Sequence, residues 1–515
     1  MIAYVYIYYG IVQQLFGDVS MTIDVSRRTA LKLIGAGVGG LIIGVAAASM
    51  ILPGGQGRIT NTVTVTETKG VTVTPTQATT PPGAVQQQGI TVWGQGPEPE
   101  SHYRFDNIVT AGNRVSKIVS LAGGRAEIRI SGEYSTAAWS DYRTKLQNAL
   151  SAGAAPDIFI EAHHAVAPLS EAGWILALDD FVKEYWEWGY NDFIEGLWNS
   201  VRYKGKIYAI PQDTEARPIY YRKDLLKKLG WSDTEIEELP NRILKGDFTF
   251  QDMLETAAEA VSKGVVQPGY GIWHRPNAGP DWPIPYLAFG GTLYDEGKNV
   301  LVADMKVWYK VFEWFYQASM RQKKVIWDKL IGLDFNRDVH PTVVAGKVLF
   351  WWGGTWHKGQ WIGSFGLKEE DFWKYYGFAL YPPGSRGGNP VTLSQPLAYF
   401  IYSRSKNPEL AFLLVTLASD TYLNSLHAVE SAHLAIRYSQ LSHPIYVKDR
   451  FLKETGYMVA YAKYQPNHPK WGTYSQLIFE TIRGIEGGAL DPDQALNTFS
   501  TSLQRQLGES VEIRE

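Results

Sequence analysis

The pattern of apolar and polar residues predicts alternating strands and helices from about residue 90 onward. Residues 89–94 form a short β-branched run that ends in glycine, which is typical of a first buried strand. Residues 127–131 and 157–160 have the same character, and residues 142–150 between them carry apolar side chains at helical spacing. Strand, helix and strand in this order predict a parallel sheet covered by helices, in the α/β class.

The first twenty residues precede this pattern and are mostly apolar, with Asp18 as their only charged residue. Met21 offers a second start, so residues 1–20 are interpreted as an extension from a wrongly assigned start codon. The alternative is a short membrane-associated segment.

Residues 21–52 have the features of an export signal. The paired Arg27 and Arg28 precede an apolar run at 33–52 that is rich in Gly and Ala, as in a twin-arginine signal. The alternative is a plain membrane anchor, since this run is near the minimum length that spans a bilayer. We expect Tat-like export, with the segment either cleaved near residues 46–49 or retained as a tether.

Residues 53–89 are rich in Thr, with Pro and Gln, and lack a core-forming pattern. Such a composition predicts a disordered, extended stalk. A stalk that follows a membrane segment would place the globular part outside the cell, near the membrane.

The amino-acid composition excludes several kinds of site and partner. The absence of cysteine excludes disulfides, thiolate metal sites, cysteine nucleophiles and a lipoprotein anchor. A net charge of −3 gives no reason to expect nucleic acid as a partner. The 18 Trp and 30 Tyr favour either a large aromatic core or a cleft lined with flat rings, which would suit the apolar face of a sugar.

Several segments, in a fixed order, resemble family 1 extracellular solute-binding proteins of ABC transporters, and most closely the maltose/maltodextrin and trehalose binders. The strongest is YKGKIYAIPQDTEARPIYYRKDLLKKLG at 203–230. ALSAGAAPDIFI at 149–160 and VAGKVLFWWGGTW at 344–356 agree with it in order. The resemblance covers the chain from about residue 90 to its end.

The resemblance implies a two-lobe periplasmic-binding-protein fold, type II-like, with hinge strands between the lobes and a central ligand cleft. It places the first lobe at 90–211 plus 380–435 and the second at 212–379 plus 436–515. It also implies hinge closure over a sugar or oligosaccharide and delivery to ABC permease subunits in the membrane.

Candidate ligand contacts lie just after strands, since ligands of α/β sheets bind at the carboxyl ends of strands. Glu215 and Asp213 follow the strand that ends at Pro211, and a carboxylate accepts hydrogen bonds from two adjacent hydroxyls. The alternatives are a solvated hinge turn or an Asp213–Arg217 ion pair. Glu215 and Trp356 also match, by the resemblance, a sugar-binding glutamate and a stacking tryptophan.

Eleven further candidates follow strands or lie in segments that match the family's cleft loops. For each tryptophan among them, a place in the core is the alternative. The histidine pair suggests no metal site, because adjacent residues on a strand point to opposite faces. The set consists of Glu98, Glu161, His163, His164, Trp273, His274, Trp282, Trp352, Gln395, Tyr399 and Trp471.

We therefore expect an extracytoplasmic, monomeric solute-binding protein with no catalytic residue, cofactor or metal. One alternative is a binding protein for a peptide, polyol or anion. Another is a secreted carbohydrate-active enzyme, with a carboxylate pair drawn from Glu98, Glu161, Asp213 and Glu215. A structural surface-layer role is the third.

Overall fold

Two large β-sheets organise the chain in the computed structural model, which describes residues 86–122 and 126–515. The predicted extension, export signal and most of the stalk lie outside the described residues. The first strand begins at Gln86, so residues 86–89 of the predicted stalk belong to the sheet instead. No helix in the described part of the chain has the length and apolar character needed to cross a membrane.

The strands, in chain order, are β1 (Gln86–Gln95), β2 (Ala126–Ser135), β3 (Ile158–Ala162), β4 (Arg202–Tyr203), β5 (Lys206–Ile207), β6 (Ala209–Pro211), β7 (Ile219–Arg222), β8 (Ile272–Trp273), β9 (Tyr294–Asp295), β10 (Val300–Asp304), β11 (Phe350–Trp352), β12 (Tyr376–Ala379), β13 (Thr392–Ser394), β14 (Leu397–Ile401), β15 (Ala462–Tyr464) and β16 (Val511–Arg514).

The α-helices, in chain order, are α1 (Tyr103–Leu121), α2 (Trp139–Ala152), α3 (Val166–Glu171), α4 (Asp179–Glu184), α5 (Glu195–Ser200), α6 (Lys223–Lys228), α7 (Asp233–Glu237), α8 (Leu239–Leu244), α9 (Phe250–Ser262), α10 (Ile284–Ala288), α11 (Met305–Ala318), α12 (His340–Val344), α13 (Trp356–Gly363), α14 (Glu369–Tyr375), α15 (Pro408–Ala418), α16 (Thr421–Ser431), α17 (Pro444–Lys448), α18 (Arg450–Thr455), α19 (Trp471–Glu486) and α20 (Pro492–Leu507). Short 3₁₀ turns, such as Pro99–Ser101, connect some of them.

The first sheet has the strand order β2-β1-β3-β14-β6. β1 runs parallel to β2 and β3, while β14 is antiparallel to β3 and β6. The predicted parallel arrangement of the first three strands, with a helix between the second and the third, is confirmed. The second sheet has the order β12-β7-β11-β8.

Each large sheet has its own apolar core. The first core consists of buried side chains at 90–210 and 397–418, with Ile436. The second core consists of buried side chains at 216–393, 428–435 and 446–511. All five residues of β3 are buried, and β3 is the middle strand of the first sheet, between β1 and β14.

The chain passes between the two cores several times, and three of these passages are named here the crossing segments: 211–216, 393–397 and 432–437. Residues 380–393 and 428–435, which the predicted division assigns to the first lobe, contribute their buried side chains to the second core. After β12 the chain stays beside the second sheet, where Tyr381 bridges to Val391, and it crosses only beyond β13. The division into two lobes that move relative to each other stays a prediction.

Candidate functional site

The three crossing segments are hydrogen-bonded to one another. The Gln212 amide donates to the Leu397 carbonyl at 2.8 Å, and the Leu434 amide donates to the Thr214 carbonyl at 2.7 Å. The hydroxyls of Thr214 and Ser394 lie 2.9 Å apart. Side chains that leave these segments are therefore held between the two sheets.

A chain of buried charges runs from the first crossing segment into the second core. Glu215 is buried, accepts from the Gln395 amide at 3.0 Å and pairs with Arg217. Arg217 also pairs with Asp281, which accepts from Arg275 at 3.2 Å. Burial raises the pKa of Glu215 to about 7, against the opposing Arg217 charge. Glu215 is thus held in place by two donors.

Trp356 lies beside this chain as the first residue of α13 and is half-buried. The Arg217 guanidinium is 4.9 Å from the centroid of its ring. The ring of His433 stacks on Trp356 at 6.1 Å and 16°. A Cβ at Gly354 would overlap the Trp356 ring, so this glycine provides the space that the tryptophan occupies.

The segment that follows β3 in the first sheet brings His164 close to Gln395, and Gln395 in turn lies beside Arg217. The side-chain nitrogen Nε2 of Gln395 lies 3.2 Å from His164 Nδ1 and donates to it. His164 can accept because it is neutral: burial and the charge of Arg143 hold its pKa well below the ordinary value. The Arg217 guanidinium is 3.4 Å from the Gln395 oxygen. Gln395 therefore joins the first-sheet side of the site to Arg217.

Arg143 is a residue that sequence reasoning missed. It binds Glu161, at the end of β3, through Nη2 at 2.8 Å and Nε at 3.0 Å. The Glu161 side chain is 4% exposed, whereas that of Arg143 is 43% exposed. Arg143 also lies over the half-buried ring of Trp139, at 5.3 Å. A buried carboxylate thus orients a solvent-accessible guanidinium at the carboxyl edge of the first sheet.

Asp213 lies in a separate cluster with Arg104, His427 and His433, and all four are buried. Arg104 donates to Asp213 Oδ2 from Nη2 at 2.8 Å and from Nε at 3.1 Å. The Leu397 amide donates to Asp213 Oδ1 at 3.0 Å. Burial alone would raise the pKa of Asp213, but Arg104 and the two histidines hold it below its ordinary value. The alternative Asp213–Arg217 ion pair is not formed, because each of these residues has other partners.

Within residues 86–122 and 126–515, Asp213, His427 and His433 are the one group with the spacing of metal ligands, their ligand atoms lying within 4.8 Å of one another. The Arg104 guanidinium is 2.8 Å from Asp213 and 3.2 Å from His433. It therefore lies where a cation would bind and supplies the positive charge itself. We assign the cluster as a hydrogen-bonded ion pair.

Five predicted contacts lie in the second core. Trp273 donates to the Gly269 carbonyl at 2.7 Å, and His274 lies 2.8 Å from Glu486. These side chains are enclosed by protein and offer no face to a ligand, so they belong to the core and not to the proposed ligand contacts. The five, each at most 2% exposed, are Trp273, His274, Trp282, Trp352 and Trp471.

Three other predicted contacts lie beside the site. Tyr399 is buried in β14 and donates to the Arg104 carbonyl at 3.1 Å, which makes it structural. His163 is buried against the Gln465 carbonyl at 3.1 Å, and burial lowers its pKa to about 4. Glu98 is half-buried near Arg104, and burial raises its pKa. Of these, Glu98 alone keeps an accessible side chain.

Comparison with known proteins agrees with this geometry. The sequence model of the family described as bacterial extracellular solute-binding protein matches residues 130–421. The chain belongs to this family of solute-binding proteins.

Among curated relatives, the maltotriose-binding protein of Pyrococcus abyssi is 22% identical over 359 residues, which cover 67% of this chain and 69% of that protein. The solved GacH receptor of Streptomyces glaucescens has a TM-score of 0.64 at 18% identity and covers 82% of this chain and 98% of its own. The sugar-binding protein MalE of Xanthomonas citri has a TM-score of 0.65 at 16% identity, with coverages of 81% and 97%. The fold is therefore of the maltose-binding-protein type.

Proposed function

We propose that the chain is the extracytoplasmic substrate-binding protein of an ABC importer, which captures a sugar or oligosaccharide and delivers it to membrane permease subunits. One observation carries this proposal. Glu215, Gln395 and His164 converge with Trp356 between the two sheets. Oriented polar groups around a flat ring suit a sugar, whose hydroxyls form hydrogen bonds while its C–H face stacks.

The same groups support binding rather than turnover. Glycoside hydrolysis needs a carboxylate pair that can exchange protons and approach the scissile bond. Glu161, Asp213 and Glu215 are each paired with an arginine. We propose that these ion pairs orient donors and acceptors for sugar hydroxyls.

We propose hinge closure as the mechanism, with one lobe around each core. At the rim, the Ser364 hydroxyl donates to Glu100 at 2.7 Å and His102 lies 3.1 Å from Glu430. These contacts join the two sides, and a ligand that touches both sides favours the closed form through its additional contacts there.

The relatives support a sugar as ligand. The curated relative from Pyrococcus abyssi is named for maltotriose binding, and the GacH structures include complexes with acarbose and an acarbose homologue. Another similar structure is a cyclo/maltodextrin-binding protein with maltotetraose. We propose the same class of ligand here, and a chain exported by its Tat-like signal and held near the membrane by its stalk.

A thermal-shift screen against mono-, di- and oligosaccharides, with peptides as a second panel, tests this proposal. A ligand present at 100 times its Kd stabilises the folded chain by about 2.7 kcal/mol, which raises the midpoint by several degrees. We expect the midpoint to rise with an oligosaccharide such as maltotriose. A rise with peptides alone would contradict the sugar assignment, and release of shorter sugars by the purified protein would indicate an enzyme.

Arg143→Gln should weaken sugar binding by about tenfold, since a hydrogen bond from a charged donor contributes about 1.5 kcal/mol or more. It should also lower the melting midpoint, because Glu161 is left buried without its charged partner. The affinity is measured by calorimetry. Lys145→Gln on the same helix is the matched control, because Lys145 is 50% exposed and pairs with the exposed Glu133. Equal affinities for the two variants would remove Arg143 from the site.

A further inference from the structure

We propose that His433 is a positioning residue that makes ligand binding acid-sensitive, because it joins the aromatic wall of the cleft to the charged cluster between the crossing segments. This inference rests on the proposed function, in which Trp356 contacts the ligand. His433 itself lies behind Trp356, in the third crossing segment.

The contacts of His433 define its protonation state. Its Nε2 is 3.2 Å from Arg104 Nη2, and its Nδ1 is 2.8 Å from the Ser431 hydroxyl. Arginine has only donors, so Nε2 must accept and the single ring proton is on Nδ1. The network is therefore complete only when His433 is neutral.

Two aromatic rings also stack against His433. The ring centroid of Trp356 lies 6.1 Å from that of His433, and the ring centroid of His427 lies 5.1 Å from it. His433 thus fixes the position of Trp356 relative to the buried Asp213–Arg104 pair. A displacement of this ring would move the surface on which a sugar stacks.

Protonation would disrupt this arrangement. A proton on Nε2 would point at a guanidinium that can only donate, and it would add a positive charge beside Arg104. Burial lowers the pKa of His433 well below its ordinary value, with Arg104 acting in the same direction and Asp213 opposing. The neutral form therefore belongs to the ordered, closed site.

The backbone around His433 leaves little freedom to adjust. Ala432 has φ 55°, in the left-handed region that residues with a Cβ rarely adopt. On the other side of His433, the Leu434 amide donates to the Thr214 carbonyl at 2.7 Å. Tertiary contacts must hold this turn, so loss of the His433 contacts would loosen the third crossing segment.

Other ionisable groups face the cluster from every neighbouring element. Their contribution is common to the wild type and to a variant at 433, so a comparison of the two isolates His433. They are Glu98, His102, Arg104, Tyr134, Asp213, Glu215, Tyr399 and His427.

The direction of the pH effect follows from linkage. In the proposed open form water reaches His433, so the histidine binds more protons there than in the closed form, where burial lowers its pKa. The closed form is then fully favoured above the ordinary pKa of about 6.5 and loses stability as the pH falls below it. Affinity for the ligand should decrease over the same range.

The test compares the affinity for maltotriose at pH 8, 6.5 and 5 in the wild type and in His433→Gln. Gln is uncharged at every pH and can still accept from Arg104. Between pH 6.5 and 5 we expect Kd to rise about tenfold more in the wild type than in His433→Gln, which keeps only the contribution of the other groups. His340→Gln is the control, since His340 is buried in the second core beside Trp361 and should leave the wild-type pH dependence intact.

Hydrogen exchange without ligand gives an independent readout. After correction for intrinsic rates, the backbone at 431–437 should lose about tenfold in protection between pH 6.5 and 5 in the wild type, and the segment 340–344 should not. His433→Gln should abolish the loss. If maltotriose does not bind at pH 8, the sugar proposal fails. The hydrogen-exchange measurement, which needs no ligand, still tests the role of His433. Equal pH responses of the two segments, or of the wild type and His433→Gln, would overturn the inference.

Discussion

Trp356→Ala should weaken sugar binding by about 30-fold, more than any other single substitution in the cleft. Trp356 is half-buried, lies under Arg217 and is backed by His433. Truncation of such an aromatic anchor typically costs about 2 kcal/mol of binding free energy. Calorimetric titration with the sugar identified in the thermal-shift screen measures the loss.

The control for this substitution is Trp186→Ala. Trp186 is 39% exposed and packs beside Trp198 of the first core. We expect its affinity to stay within about twofold of the wild type, since contacts outside an interface contribute little. If Trp356→Ala binds as tightly as Trp186→Ala does, the sugar does not stack on Trp356.

Arg104→Met should lower the free energy of unfolding by about 3–5 kcal/mol, because it leaves the Asp213 carboxylate buried without its principal partner. The Asp213 side chain is fully buried and accepts two hydrogen bonds from Arg104. Urea denaturation at neutral pH measures the change.

Two further variants separate this buried pair from ordinary surface pairing. Arg104→Met combined with Asp213→Leu removes both charges and should recover much of the lost stability. Arg114→Met on the same helix breaks a partly exposed pair with Asp420 and should cost less than about 1 kcal/mol. Equal losses from Arg104→Met and Arg114→Met would indicate that the Asp213 pair contributes little.

The central strand β3 of the first sheet could be predicted from the sequence because burial of all its residues leaves a simple signal. Residues 157–160 are an apolar run between turn residues, and β3 (Ile158–Ala162) is buried throughout. The boundaries between the cores could not be placed as well. Residues 380–393 belong with the second core because Leu380, Tyr381, Val391 and Leu393 pack into it, and local patterns do not reveal such tertiary packing.

The sequence indicates candidate contacts where a residue type stands in a recognisable segment, as for Glu215 and Trp356, whose role in ligand binding stays a prediction. The arginines could not be predicted, because a charged residue in a sequence is usually solvated and nothing local indicates which one is buried. Arg104 lies on a helix far along the chain from Asp213, and their pairing depends on the fold. For Trp273, Trp282, Trp352 and Trp471 the sequence left a cleft position and a core position open, and their burial favours the core.

Small-angle X-ray scattering during a ligand titration tests the proposed capture by hinge closure most directly. We expect the radius of gyration of the purified chain to decrease as a tight-binding oligosaccharide saturates it, with the midpoint of the change at the calorimetric Kd. Trp356→Ala should shift that midpoint to about 30-fold higher ligand concentration. Saturation with a tight ligand and no contraction of the wild-type chain would contradict the mechanism.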